Sequence, residues 1–302
     1  MTEVMTFKKT IPDLSPDILK NICATAACTI EEITDVEPLK VGLTNISFSF
    51  RTPAGKFVYR SPGKGTDLFI NRKGEAFSEN AAKKLGLDNS IVYIDPVKGW
   101  KISRYISDFR YIDPLDRQDQ ADAMELLHRL HNSGILSPWD FDYGKETERI
   151  LSLPDFVSCI DFSPYYKTNQ QMQTLSKKLE KEHHRKVLCH NDSWHWNMLK
   201  APDGSITLID WEYSGNSYPE ADVAYFTASL PFSDDDYLSL AALYEKHSLD
   251  IEEKRNYFRV MAIVLWYWFV WALYEEHLGT PVSDKELWRT KAVHAMEKSL
   301  SV

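Results

Sequence analysis

Residues 260–274, VMAIVLWYWFVWALY, form an apolar run of 15 without a charge. A helix that is apolar on every face cannot lie on a protein surface; it must be wrapped by other helices or by lipid. Crossing a bilayer takes about 20 such residues. The run therefore predicts a fully buried helix, and with it a helical region large enough to enclose it. A chain of 302 residues has room for that region and for a second lobe.

The first hundred residues follow another pattern. In 41–50, VGLTNISFSF, the side chains of Ile46, Phe48 and Phe50 alternate with polar ones, which is the period of a strand. TPAG at 52–55 reads as a turn and KFVYR at 56–60 as the returning strand. A helix follows from Arg72 to Leu85, with Gly86 as its cap, and SIVYID and WKISRYI read as further strands. Beyond Asp108, Ala123, Leu126, Leu127 and Leu130 fall on one helix face within 116–132. Further helices are expected near 168–184, 219–229, 234–247, 251–278 and 283–300. Between them KVLC and a hairpin over 198–210, turning at APDG and ending on Asp210, make a small β element. The expected class is α+β, with a β-rich N-terminal lobe over 1–107, a helical C-terminal lobe over 108–302 and a linker near 104–110. Ligands bind between lobes of this kind.

Several classes are disfavoured. The net charge is −9 with no Lys/Arg block, the opposite of a nucleic-acid footprint. Cys23, Cys28, Cys159 and Cys189 lack the paired spacing of a disulfide framework or a zinc ribbon. The opening MTEVMTFKKTIPDLS has no apolar core, so a cytoplasmic protein without stable membrane insertion is expected. Neither G-x-x-x-x-G-K-[ST] nor G-x-G-x-x-G occurs, so a P-loop or a dinucleotide fold is unsupported.

The densest chemistry lies in VLCHNDSWHWNML, 187–199. His190 and Asp192 are followed by Asn197 five positions after the aspartate, and Asp210 stands 13 further on. Phosphoryl transfer needs a carboxylate to take the proton of the attacking hydroxyl, and oxygen ligands to hold Mg²⁺ against the phosphates. One loop and an adjacent strand end can supply all three, as in the H-R-D-x-x-x-x-N template. Two blander readings compete. Asp192 and Asn197 could form an Asx turn. Cys189, His190, Asp192 and His195 could bind zinc, but their spacing fits no structural zinc site. His190 is expected to hold the loop, Trp194 and Trp196 to pack, and His195 to be exposed.

CHNDSWHWNML followed by LIDWEYSGNSYPEADVAYF resembles the choline/ethanolamine kinase family, within the group that includes aminoglycoside phosphotransferases. The resemblance implies a protein-kinase-like bilobal fold, with ATP and Mg²⁺. Asp192 would be the catalytic base, and Asn197 and Asp210 the metal ligands. GLTN resembles the phosphate-covering loop, which brings in Thr44 and Asn45. YRSPG resembles the strand whose basic residue meets the phosphates, here Arg60, and NRKGEAF the helix whose glutamate orients it, here Glu75. SRYISD resembles the adenine hinge, giving Arg104, Tyr105 and Ile106. On the acceptor side Glu212 and Tyr218 are implied, with Asp222 tying down the loop. The W-x-x-W of the family matches Trp268 and Trp271, and Trp288 falls where another aromatic is expected.

A trimethylammonium group donates no hydrogen bond and is held by aromatic faces and negative charge. That favours choline as the small-molecule partner. Trp268 and Trp271 share a helix face, whereas Trp266 lies about 200° from Trp268; a plain core role for all of them competes with a cage. Ethanolamine, thiamine and an aminoglycoside stay open as acceptors, and a non-catalytic binding protein on the same scaffold is the rival from another class.

Overall fold

The computed structural model describes residues 14–39, 45–63, 66–182 and 185–302. The chain divides into two compact units, one of residues 1–76 with 89–107 and one of 77–88 with 108–302.

In the first unit, α1 (Pro16–Ala26) precedes β1 (Thr34–Leu39), β2 (Ile46–Thr52) and β3 (Gly55–Ser61). Next come the start of α2 (Arg72–Leu85), β4 (Ile91–Ile94) and β5 (Lys101–Arg104). The strands make one antiparallel sheet in the order β1-β2-β3-β5-β4. Phe48 pairs with Tyr59 and Phe50 with Phe57, which puts four aromatics on one face of the β2–β3 hairpin. Phe48 stacks on Tyr59 at 5.2 Å. With Ile22, Ile33 and Ile102 they form the unit's core, each buried side chain contributing about 1.5–3 kcal/mol. The alternation expected over 46–50 holds for Phe48 and Phe50, but Ile46, at the strand's start, is 66% exposed. Two elements were not anticipated. α1 opens on Ser15, whose Oγ accepts from the Ile18 N–H, with a proline in its first turn. β1 carries Pro38 and acidic residues, a composition tolerated because it is the edge strand.

The second unit contains β6 (Arg110–Tyr111), α3 (Arg117–His131), α4 (Tyr143–Leu151), α5 (Pro154–Cys159) and α6 (Tyr166–Glu182). These are followed by β7 (Val187–Cys189), β8 (Met198–Lys200), β9 (Ile206–Leu208) and β10 (Gly215–Ser217). The chain ends with α7 (Pro219–Phe226), α8 (Asp234–Glu245), α9 (Ile251–His277) and α10 (Lys285–Ser301). β6, β8 and β9 form one small sheet, and β7 and β10 another.

α9 is the apolar run extended by polar turns at both ends to 27 residues, opened by a capping box between Asp250 and Glu253. At that length it could cross a membrane, so counting the apolar run was not a sufficient argument. What makes it a core helix is burial: 94% of its most apolar 18-residue window lies inside the protein. It packs against α10, α7, α4 and α6.

Candidate active site

The stretch 187–199 leaves β7, makes a tight loop and enters β8. Asn191 takes a left-handed backbone conformation at φ 64°, which asparagine tolerates better than most residues. Its Nδ2 donates to the carbonyl of Tyr213 at 2.9 Å, and the Tyr143 hydroxyl donates to its Oδ1 at 3.2 Å. The backbone N–H of Asp192 donates to His190 Nδ1 at 3.3 Å, so the ring proton sits on Nε2, which donates to the Ile209 carbonyl at 3.0 Å. Burial pushes the His190 pKa down, consistent with a neutral imidazole. Trp211 meets the same ring edge-on at 4.7 Å.

Asp222, in the first turn of α7, anchors this loop. Its carboxylate accepts from the N–H groups of His190 at 2.8 Å and Asn191 at 2.7 Å, and pairs with His131 Nε2 at 2.9 Å. The Ser193 hydroxyl donates to its carbonyl at 2.6 Å. Burial works to raise the Asp222 pKa, but the hydrogen bond and charge of His131, with the bond from the His190 backbone N–H, outweigh it, and the group is held below the usual carboxylate range.

The β8–β9 hairpin places Asp210 beside Asn197. Met198 pairs with Leu208, and one step further the Ile209 N–H donates to the Asn197 carbonyl at 2.9 Å. Asp210 follows in a left-handed conformation at φ 69°, strain of the kind that concentrates at functional sites. Asn197 Nδ2 donates to the Asp192 carbonyl at 2.8 Å and to its Oδ2 at 3.0 Å. That amide orientation turns Oδ1 of Asn197 away from Asp192. Burial, and then the charges of Asp210 and Glu212, push the Asp192 carboxyl well above its usual value. Asp210 and Glu212 thus lie near enough for their charges to act on Asp192, whose carboxylate the Asn197 amide holds. The Asn197 amide oxygen and the Asp210 carboxylate, at the two ends of the β8–β9 hairpin, are oxygen donors of the kind a small hard cation such as Mg²⁺ takes.

Beside the loop lies an aromatic cluster. The Tyr225 hydroxyl sits next to Asp192 and is held well above its usual pKa, first by burial and then by that charge. Its ring stacks on Trp268 at 4.5 Å. Trp268 also meets Tyr213 at 5.0 Å, Trp271 at 5.1 Å and Trp288 at 6.3 Å. Glu212 is buried next to Tyr213, and burial and the Glu212 charge raise the Tyr213 pKa. Asp192, Trp268, Trp271 and Trp288 are therefore brought together around Tyr225, and Glu212 acts by its charge on Tyr213 at the edge of the cluster. Tyr218 is not among the ring contacts of Trp268; its hydroxyl lies among Asp142, Glu180 and Lys145, and burial raises its pKa. Tyr213 and Tyr225 were missed. Tyr225 is three residues after Asp222 on α7, a spacing that shares a helix face and could have flagged it.

In the first unit, Arg60 on β3 is ion-paired with Glu75 on α2, both buried. Glu75 also binds Arg72 Nη1 at 3.1 Å, and Arg72 Nη2 donates to Thr66 Oγ1 at 2.7 Å. Two guanidinium groups thus share the Glu75 carboxylate. The i,i+3 spacing of Arg72 and Glu75 on a predicted helix was the available signal for the second arginine. In the 104–106 segment, the N–H groups of Arg104 and Tyr105 are spent on the carbonyls of Ser90 and Lys56, at 2.7 and 2.9 Å. Asn45 is half-buried just before β2, and Thr44 lies outside the described residues.

Two expectations for the loop are reversed. Trp196 is 52% exposed, with the Tyr111 ring at 4.9 Å and its neighbours Trp194 and His195 at 6.2 and 5.9 Å, while His195 is half-buried, with its pKa lowered to about 4 by desolvation. Nor do the residues of the zinc reading converge. Cys189 Sγ donates to the Tyr218 carbonyl at 3.4 Å, and His190 bonds the backbone as described. His131, Cys189 and Asp222 do lie within 4.8 Å of one another. However, His131 is used on both nitrogens, by Asp222 and by the Tyr244 hydroxyl at 2.8 Å.

Comparison with known proteins bears on this geometry directly. The model of the family described as choline/ethanolamine kinase matches residues 116–276, more than half of the chain. Protein LicA of Haemophilus influenzae strain Rd is 28% identical over 274 residues, covering 85% of this chain and 100% of LicA. A crystal structure of LicA in complex with AMP is similar with a TM-score of 0.78 at 24% identity, covering 95% of this chain and 99% of that one. The crystal structure of choline kinase LicA from Streptococcus pneumoniae has a TM-score of 0.74 at 23% identity, covering 93% and 98%. The fold is thus the protein-kinase-like α+β fold expected from the sequence. The chain belongs to the choline/ethanolamine kinase family, and with it to the kinase-type phosphotransferases.

Proposed function

We propose that the chain transfers the γ-phosphoryl group of ATP to the hydroxyl of choline, giving phosphocholine and ADP. The observation that carries this reading is the aromatic cluster that begins at Asp192 and runs through Tyr225 to Trp268, Trp271 and Trp288. The charges that act on the Tyr213 hydroxyl inside it are those of Glu212, Asp192 and Glu275, with no basic group among the main causes. Aromatic faces edged by carboxylates suit a cation that cannot donate hydrogen bonds, and suit a neutral alcohol poorly.

In this reading residues 1–107 bind the nucleotide, and 108–302 carry the chemistry and the acceptor. Asp192 orients the choline hydroxyl and accepts its proton as the oxygen attacks the γ-phosphorus and ADP departs. Asn197 holds the base through its amide nitrogen. The Asn197 oxygen and the Asp210 carboxylate would hold Mg²⁺, which neutralises phosphate charge when bound. Arg60, positioned by Glu75 with Arg72 on its other side, meets phosphate charge, with Thr44 and Asn45 covering it. The backbone of Arg104, Tyr105 and Ile106 meets the adenine. Glu212 provides negative charge on the acceptor side, and Tyr213 and Tyr225 take the aromatic role that sequence position alone gave to Tyr218.

The direct test is ADP release from Mg²⁺-ATP with choline, ethanolamine, thiamine or kanamycin as acceptor. Choline is expected to give the highest kcat/KM, and the absence of ADP release with all four from folded protein would sink the kinase reading. Trp271→Leu keeps apolar volume and removes a π face. It should raise KM for choline roughly 3- to 30-fold, with KM for ATP unchanged; an equal change in both would make Trp271 a packing residue only.

A further inference from the structure

The acceptor site as proposed leaves one buried charged group on α9 unused. Glu275 is 4% exposed. It follows Trp268 by seven residues and Trp271 by four, which puts it within about 20–40° of both on the helix face. Its neighbour Glu276 is ion-paired with Lys285, but the Glu275 carboxylate has no hydrogen bond or ion pair among the described residues. Desolvation alone pushes its carboxyl up to about 7. A buried, unpaired carboxylate is destabilising, and a sequence normally removes it or supplies a counter-charge.

No basic side chain on the helices around α9 serves that purpose. On α10, Lys285 is taken by Glu276, and Lys291 donates to the carbonyls of Thr227 and Leu230 at 2.9 and 2.5 Å. On α4, Arg149 pairs with Glu146, and on α6, Lys178 with Glu182. The acidic groups are likewise engaged: Asp222 of α7 with His131, and Asp234 of α8 with His294 and Lys298. The groups that feel the Glu275 charge are the hydroxyls of Tyr213, whose ring touches Trp268, and Tyr274. Glu275, on α9, and Glu212, after β9, therefore both act on the Tyr213 hydroxyl, whose ring packs against Trp268.

We infer that Glu275 is a specificity residue of the acceptor site, and that its carboxylate is the counter-ion that makes the tryptophan cluster select a cationic alcohol over an uncharged one of the same shape. This rests on the acceptor being choline-like. The cation completes the missing ion pair, and a neutral isostere does not.

The test compares choline with 3,3-dimethylbutan-1-ol, its uncharged carbon isostere, as acceptors for the full chain between pH 6 and 8.5. In Glu275→Gln the ratio of the two kcat/KM values should fall at least about tenfold, through KM for choline, with kcat and the isostere little changed. In the unaltered chain the same ratio should fall as pH drops through about 7, because the carboxyl takes up a proton and loses its charge; in Glu275→Gln it should be flat. The ratio cancels the titration of Asp192, which acts on both alcohols. Equal losses on both alcohols, or a ratio in the unaltered chain that does not move with pH, would overturn the inference while leaving choline phosphorylation intact. Failure of the unaltered chain to phosphorylate choline would overturn the functional reading and this inference with it. The pH profile needs no variant, so it decides the matter even where Glu275→Gln does not fold.

Discussion

Asp192→Asn should lower turnover with choline by roughly 10²–10⁴-fold, the usual contribution of a positioned general base, while nucleotide affinity stays within about threefold. The amide keeps the shape of the carboxylate and can still accept from Asn197 Nδ2, which holds Asp192 Oδ2 at 3.0 Å. What it loses is the ability to take a proton. The electrostatics add a second expectation. Asp192 lies near Asp210 and Glu212, and burial and these two charges raise its pKa. Neutralising it relieves repulsion, so the variant should melt at the same temperature as the parent or higher when no divalent cation is present. Loss of activity with equal or better stability would separate a chemical role from a structural one. Steady-state ADP release, nucleotide titration and thermal melts together make the measurement, and unchanged turnover would remove Asp192 from the mechanism.

The site was legible where chemistry constrains residue type and spacing together. The loop and hairpin from His190 to Asp210 could be read because the roles proposed for Asp192, Asn197 and Asp210 require fixed intervals, and a strand–turn–strand frame supplies them. The helix α9 could be read because its apolar run leaves no surface on which to place it. Where tertiary packing decides, the sequence was mute. Tyr213 and Tyr225 entered the cluster and Tyr218 did not: Tyr218 stands at the N-cap of α7, before helical geometry begins, whereas Tyr225 is inside the helix and shares a face with Asp222. Trp196 and His195 exchanged their expected environments because they occupy a single 3₁₀ turn, where adjacent residues point in widely different directions. Short or edge elements were missed for a related reason. α4 has nine residues and a lone Asp142 cap, and β1 has a proline and little buried surface. In both, contacts from the rest of the fold outweigh weak local preference.

The polar frame behind the site gives the second large effect. Asp222 satisfies two backbone N–H groups of the 187–199 loop and one histidine nitrogen, all buried. Asp222→Ala would strand all three. Removing one partner of a buried ionic network costs about 3–5 kcal/mol, which for a chain of this size corresponds to a fall in melting temperature of roughly 6–20 °C. Turnover should fall as well, because the loop that carries Asp192 loses its anchor. Asp222→Asn keeps one acceptor oxygen and should lie between the two. The pH dependence has a definite sign. The folded pKa of Asp222 is depressed, so its stabilisation is present above the unfolded carboxylate value of about 4 and is lost as pH falls through the lower, folded value. Melts across the acid range should show the parent losing stability steeply below about pH 4, with a shallower acid slope in Asp222→Asn. Parallel slopes would assign the acid sensitivity to other carboxylates, and an unshifted melting temperature in Asp222→Ala would mean that the loop is held by the Asn191 and His190 side chains alone.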